Sequence, residues 1–267
     1  MIKYLKEIRQ SLVVEGKAVK YLKYAIGEIV LVVIGILIAL SINNWNERKK
    51  NEEETRNYLS SLIENLNDDI SSIDRNILFN KTRLKGIFYI LEHAGLNTQT
   101  FTEMEWIDVS ENHSSNTLWK GPFPDTLNAA FTHLAFSTIG RGFGGISLNK
   151  SVINELYSTG SFSSIQSREL KTGISNYYSF LEQRLDGYAI EEHEEWANET
   201  TRYLRDQHGI FTLDVSDLED PVDRLKNSKE AEYHLRYLAL EINYHCIWAL
   251  EAKEKALNLI NSIRENN

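Results

Sequence analysis

Between Tyr24 and Trp45 the side chains are almost all apolar. From Ile29 to Leu40 no residue is polar, and the 19 residues from Tyr24 to Ile42 carry one charge, Glu28. A helix crossing the hydrocarbon core of a bilayer needs about 20 mainly apolar residues. Tyr21, Tyr24 and Trp45 flank the stretch as interfacial aromatics do. The pattern predicts a transmembrane helix over residues 24–46. Two other readings compete. One is a cleaved signal peptide, with Ala39-Leu40-Ser41 as a small-x-small site. Its leading region carries Glu7, Glu15 and Glu28, and is long and mixed for such a segment. The other is a core helix buried in a soluble protein, which the length disfavours.

Beyond the span the pattern changes to helical amphipathicity. Leu59, Leu62, Leu66, Ile70, Ile73, Ile77, Leu84, Ile87 and Leu91 step by three or four, with one gap of seven. This is the apolar face of a long helix over Arg48–Leu91, and Gly95 is a fitting stop. One such stripe cannot bury itself, so a bundle is expected. Residues 96–125 lose the period and hold Phe101, Trp106, Trp119 and Phe123, which predicts a long ordered loop. Asp125 is placed to cap a helix running to Ile139, and a short helix is expected over Lys150–Thr159. Ser167 opens the next, expected to run unbroken to about Arg205. A short strand is expected at Ile210–Val215, and a last helix from Pro221 to about Arg264. The fold class is therefore all-α: one N-terminal transmembrane helix, then an elongated helical bundle with a long aromatic-containing loop.

Charge divides the chain. Residues 1–50 carry nine Lys/Arg against four Asp/Glu, while the whole chain has a net charge of −9. A basic head on an acidic body suits a membrane junction. Residues 1–23 alternate Ile2, Leu5, Ile8 and Leu12 with Lys3, Lys6 and Arg9, as either a basic amphipathic helix on the cytoplasmic leaflet or an ordinary solvated helix. Six Lys/Arg precede the span and four follow it closely, which favours a cytoplasmic N-terminus and a periplasmic domain over residues 47–267. This places the chain in the inner (cytoplasmic) membrane as a single-pass protein. The acidic balance argues against nucleic acid as a partner. With one cysteine, Cys246, no intramolecular disulfide can form.

Several features invite chemistry. Gly27, Leu31, Gly35, Ala39 and Asn43 recur every fourth residue, and such a small-residue face lets a second helix approach closely. Glu28 is an intramembrane carboxylate, either paired near the headgroups or in contact with a partner or a proton. Trp106, Trp119 and Phe123 are the candidate ligand or partner loop, set against plain packing onto the bundle. Gly140, Gly142 and Gly145 match G-x-G-x-x-G in spacing, but no strand precedes them and no acid follows at the required distance, so a flexible loop is the better reading. His193 within Glu191–Glu195 lacks a second histidine at 197, where Ala197 stands, and reads as a solvated face. His234 and His245 share a helix face with no ligand cluster at fitting spacing nearby. No catalytic residue, cofactor or metal site is assigned.

The stretch YAIGEIVLVVIGILIALSINNWNERKK, residues 24–50, resembles the N-terminal signature of a family of flavobacterial single-span membrane proteins classed as a domain of unknown function. Ile153–Tyr178 (INELYSTGSFSSIQSRELKTGISNYY) also looks like that family. The resemblance implies a membrane-anchored helical protein and supplies no activity, ligand or catalytic residue. The expected function is a non-enzymatic interaction or scaffold protein, an accessory subunit of a cell-envelope complex. It would assemble with a second copy or another envelope membrane protein within the lipid bilayer. The alternative is an extracytoplasmic domain that senses a small molecule.

Overall fold

A computed structural model describes residues 18–99, 105–140, 146–186 and 188–266. Among them there are helices and turns and no strand. The chain divides into two units, 1–57 and 58–267.

The first helix, α1 (Ala18–His93), begins in the first unit. There it includes a stretch long and apolar enough to cross a membrane, none of it buried within the chain. At the polar end of that stretch Asn43 Nδ2 donates to Glu47 (3.0 Å), and Lys49 lies 4.4 Å over the Trp45 ring. The predicted basic head before residue 18 lies outside the described residues.

In the second unit α1 supplies the central wall. It ends at Gly95, whose φ of +66° lets Leu96 N–H reach Leu91 O (2.9 Å). Six shorter helical elements follow: α2 (Ala129–Ile139), α3 (Ser151–Ser158), α4 (Ser161–Ser164), α5 (Arg168–Arg184), α6 (Tyr188–His208) and a 3-10 turn (Asp223–Leu225). The last helix, α7, is Lys229–Asn266. Its face Leu235, Leu238, Ile242, Ala249, Ala252, Ala256 and Leu259 is buried along its whole length. Where α1 and α2 cross, Gly86 permits the approach, because a Cβ there would stand 3.0 Å from Ala135 Cα.

Two apolar cores result. One gathers Leu59–Ile77 of α1 with α3, α5 and Ala249–Ile263 of α7. The other gathers Leu84–Leu91 with α2, α6, the 210–225 loop and Ala231–Cys246. The two meet α1 on either side of residues 78–83.

Five local expectations are corrected. The helix from Ser167 breaks after Arg184, where buried Leu185 (φ −129°, ψ 1°) leaves helical geometry and Asp186 pairs with Lys150. Ser167 does cap its start, accepting from Leu170 N–H. Asn128, not Asp125, caps α2: its side chain accepts from Phe131 N–H (3.0 Å), and its own N–H is held by Tyr89 Oη (2.7 Å). Residues 210–215 form turns instead of a strand, closed by Asp214 N–H to Phe211 O. The last helix starts at Lys229 rather than Pro221, because Ser228 Oγ accepts from Ala231 N–H (3.2 Å) and Asn227 before it sits at φ +60°. The four-residue α4, entered through Gly160 at φ +76°, was not anticipated. The loop after α1 runs on to Asn128.

Candidate functional site

Within the gap of seven between Ile77 and Leu84 the buried side chains are polar: Asn80, Thr82 and Arg83. Asn65, Asp69, Ser72, Asn76, Asn80 and Arg83 follow the helical period down the inner face of α1, and every one is buried. At one end this seam grips the segment leading into α3. Asp69 Oδ1 accepts from Asn149 N–H (2.8 Å), Ser72 Oγ from Ser147 N–H (2.9 Å), and Asn65 Oδ1 from Asn149 Nδ2 (3.0 Å). In the middle Asn76 Oδ1 accepts from Asn80 Nδ2 and from His245 Nε2 of α7, both at 3.0 Å. At the other end the Arg83 guanidinium donates to Ile139 O (2.8 Å), the last carbonyl of α2. Burial lowers the Arg83 pKa to about 9, so it stays charged at neutral pH and complements the negative end of α2. Asn76, Asn80, Thr82, Arg83 and His245 form a polar waist between the two apolar cores.

Asp69 carries a pH dependence. Burial raises its carboxyl above the ordinary carboxylate range, against the hydrogen bonds from Asn149 N–H and the Tyr177 hydroxyl (3.0 Å). A carboxyl raised in the folded state stabilises below its unfolded pKa, and that contribution is lost as pH rises through the folded value. Asp69→Asn keeps an oxygen for Asn149 N–H and cannot ionise. Urea unfolding from pH 4 to 8 should therefore show the variant gaining stability relative to the parent as pH rises. Parallel curves would show that Asp69 does not titrate differently on folding.

Over the waist lies a cleft of about 520 Å3, between α1, α7 and the 105–128 excursion. Three asparagines, of which Asn116 and Asn243 are buried, hold that excursion in place. Asn116 Nδ2 donates to Thr82 Oγ1 on α1 (2.8 Å), and its Oδ1 accepts from Leu118 N–H (2.9 Å). Asn112 Nδ2 donates to Trp119 O (2.9 Å) and Gly121 O (2.7 Å). Asn243 of α7 clamps the entry, accepting from Ile107 N–H and donating to Glu105 O, both at 2.9 Å. The helices line the cleft with Asp74, Ile77, Leu78, Lys81 and Lys253, the excursion with Asp108, Glu111, His113 and Phe123. Lys253 holds both Asp74 oxygens (2.7 and 2.9 Å). A second hollow, of about 610 Å3 at the start of α2, is mostly apolar, with Leu127, Val215, Leu218 and Val222 in its lining.

The residues singled out in the sequence fall in several places. Trp106 packs on Phe88 (centroids 5.7 Å apart), Trp119 meets Phe131 edge-on (5.0 Å), and Phe123 lies 5.6 Å from Phe131. Of the three, only Phe123 also lines the cleft. Gly27 and Gly35 have open space where a Cβ would stand, and Asn43 is engaged with Glu47. Glu28 is exposed on the same helix. Gly140 ends α2, while 141–145 and the side chains of Glu192 and His193 lie outside the described residues. His245 belongs to the waist, and His234 stacks on Tyr203 (4.4 Å), so the two do not converge on one site. Among the described residues no group of His, Cys, Asp and Glu is placed to hold a metal ion. Cys246 is buried and its thiol is pushed up to about 12, which suits a core side chain more than a nucleophile. The waist was missed in the sequence, where the gap of seven was its one signal.

The family described as "Family of unknown function (DUF6090)" matches residues 28–171, more than half of the chain. The interval takes in most of both stretches that carried the family resemblance. No curated protein and no solved structure matches the chain.

Proposed function

The chain belongs to this family of unknown function, and on that premise we propose a membrane-anchored, non-enzymatic interaction protein, an accessory subunit of a cell-envelope complex. The supporting observation is the apolar stretch of α1, none of which is buried among the described residues. An exposed apolar surface of that extent needs lipid or another helix around it. The small face at Gly27, Gly35 and Ala39 is where a second copy or another membrane protein would approach. The excess of Lys/Arg before the span supports an inner-membrane anchor with a cytoplasmic N-terminus and a periplasmic second unit. The test is affinity capture through a C-terminal tag from native membranes in mild detergent, with native mass measured on the eluate. A stoichiometric envelope partner or a defined homo-oligomer is expected. A clean monomer with no partner overturns the proposal.

The waist cleft favours a second reading, in which the second unit binds a small molecule outside the cytoplasm. A volume of about 520 Å3 is within the range of small-molecule sites, and its polar groups converge from three elements.

A further inference from the structure

We infer that the waist cleft binds a zwitterion, an amino acid or short peptide carrying both a free ammonium and a free carboxylate. The inference rests on the small-molecule reading above and names its ligand class.

The two walls of the cleft carry charges of opposite sign. Five charged residues line the cleft: Asp74, Lys81, Asp108, Glu111 and Lys253. Lys253 and Asp74 neutralise each other. Lys81 and Glu111 make no direct ion pair among the described residues, although they line one cleft from opposite sides, and Lys81 attracts Asp108 across it. Lys81 comes from α1 and Glu111 from the excursion. Asp108 stands on the same side as Glu111, with one oxygen accepting from Ser110 N–H (2.8 Å). Lys81 is half-buried, and its nearby counter-charge, Asp108, stands on the excursion wall and not in direct contact, so a carboxylate placed at Lys81 would give it a close partner. A purely anionic ligand would meet Asp108 and Glu111, and a purely cationic one would meet Lys81. A ligand with its carboxylate at Lys81 and its ammonium at Asp108 and Glu111 satisfies both sides. Ile77, Leu78 and Phe123 offer an apolar surface for its body. The asparagine clamps hold the excursion side in place, so little ordering is needed on binding.

The test uses the full chain in nanodiscs and isothermal titration with six probes. These are phenylalanine, the dipeptide Ala-Phe, N-acetyl-Ala-Phe, Ala-Phe amide, phenylacetate and phenethylamine. Phenylalanine or Ala-Phe should bind, and whichever binds more tightly shows which length the cleft takes. Blocking either terminus should weaken binding by about tenfold or more, since each removes a hydrogen bond between charged groups. Lys81→Met should abolish the preference for a free carboxylate, and the pair Asp108→Asn with Glu111→Gln that for a free ammonium. These residues are half-buried or exposed, so the variants should fold, which circular dichroism checks. If the blocked or singly charged probes bind as tightly as the zwitterions, the inference fails while small-molecule binding stands. If no probe binds, the inference is overturned. The wider reading then falls only if a thermal-shift screen of envelope metabolites also gives no stabilisation.

Discussion

Replacing Arg83 by alanine is expected to destabilise the second unit by about 3–5 kcal/mol, from the cavity left by a large buried side chain together with a buried carbonyl left without its donor. Arg83 is among the largest fully buried side chains of the chain. Its guanidinium donates to Ile139 O where α2 ends and sits between the two apolar cores. Alanine removes that donor and leaves the carbonyl buried, and it empties a volume that the crowded α1–α2 crossing at Gly86 and Ala135 cannot close. Against a typical total of about 5–15 kcal/mol, the loss is a large share. For a unit of this size it should lower Tm by roughly 10 °C. Arg83→Lys should not restore it, because an ammonium lacks the planar fork that reaches several acceptors at once. Urea unfolding of the full chain in detergent measures both. A loss under about 1 kcal/mol would show that the waist does not depend on this cation.

Much of the helical framework was legible because it follows from burial. Leu59 to Leu91 repeat at the helical period, and all of that series but the half-buried Ile70 is buried. Gly95 and Ser167 mark ends by mechanisms that a single residue carries, a left-handed backbone and a side-chain cap. The errors arise where an apolar period continues through a change in backbone. Leu181, Leu185 and Tyr188 keep helical spacing across the break after Arg184, so the pattern alone hides it. Val222 and Leu225 are buried like helix residues but belong to a 3-10 turn before α7. Residues 211–215 alternate as a strand does, yet Ile210, Thr212 and Val215 are buried by turns.

The candidate site was less legible, for a different reason. Aromatic residues drew attention to the excursion, but Trp106 and Trp119 pack toward the bundle as large apolar rings tend to do. The groups facing the cleft are the charged Lys81, Asp108 and Glu111, which look like surface residues when read along the chain. Asn76, Asn80 and Arg83 occupy the buried face of α1 although their types are usually exposed. Only their partners, His245 from α7 and Ile139 from α2, explain their burial, and those lie far away in sequence.

Deleting residues 24–46 should move the protein from the membrane to the soluble fraction, the largest effect the account predicts. On a translocon scale the run from Ile29 to Leu40 contributes roughly −5 kcal/mol toward insertion. Glu28 opposes this, but it lies near the end of the apolar stretch, where a carboxylate costs less than at the bilayer centre. None of this stretch is buried among the described residues, so without lipid its apolar side chains would face water. The most direct measurement combines alkaline carbonate extraction of native membranes with the intact mass of the retained protein. The protein is expected to stay with the membrane at the mass of a chain that includes residues 24–46. A soluble product beginning between Ala39 and Asn43 would contradict it, because the apolar stretch would then be a removed leader and not an anchor.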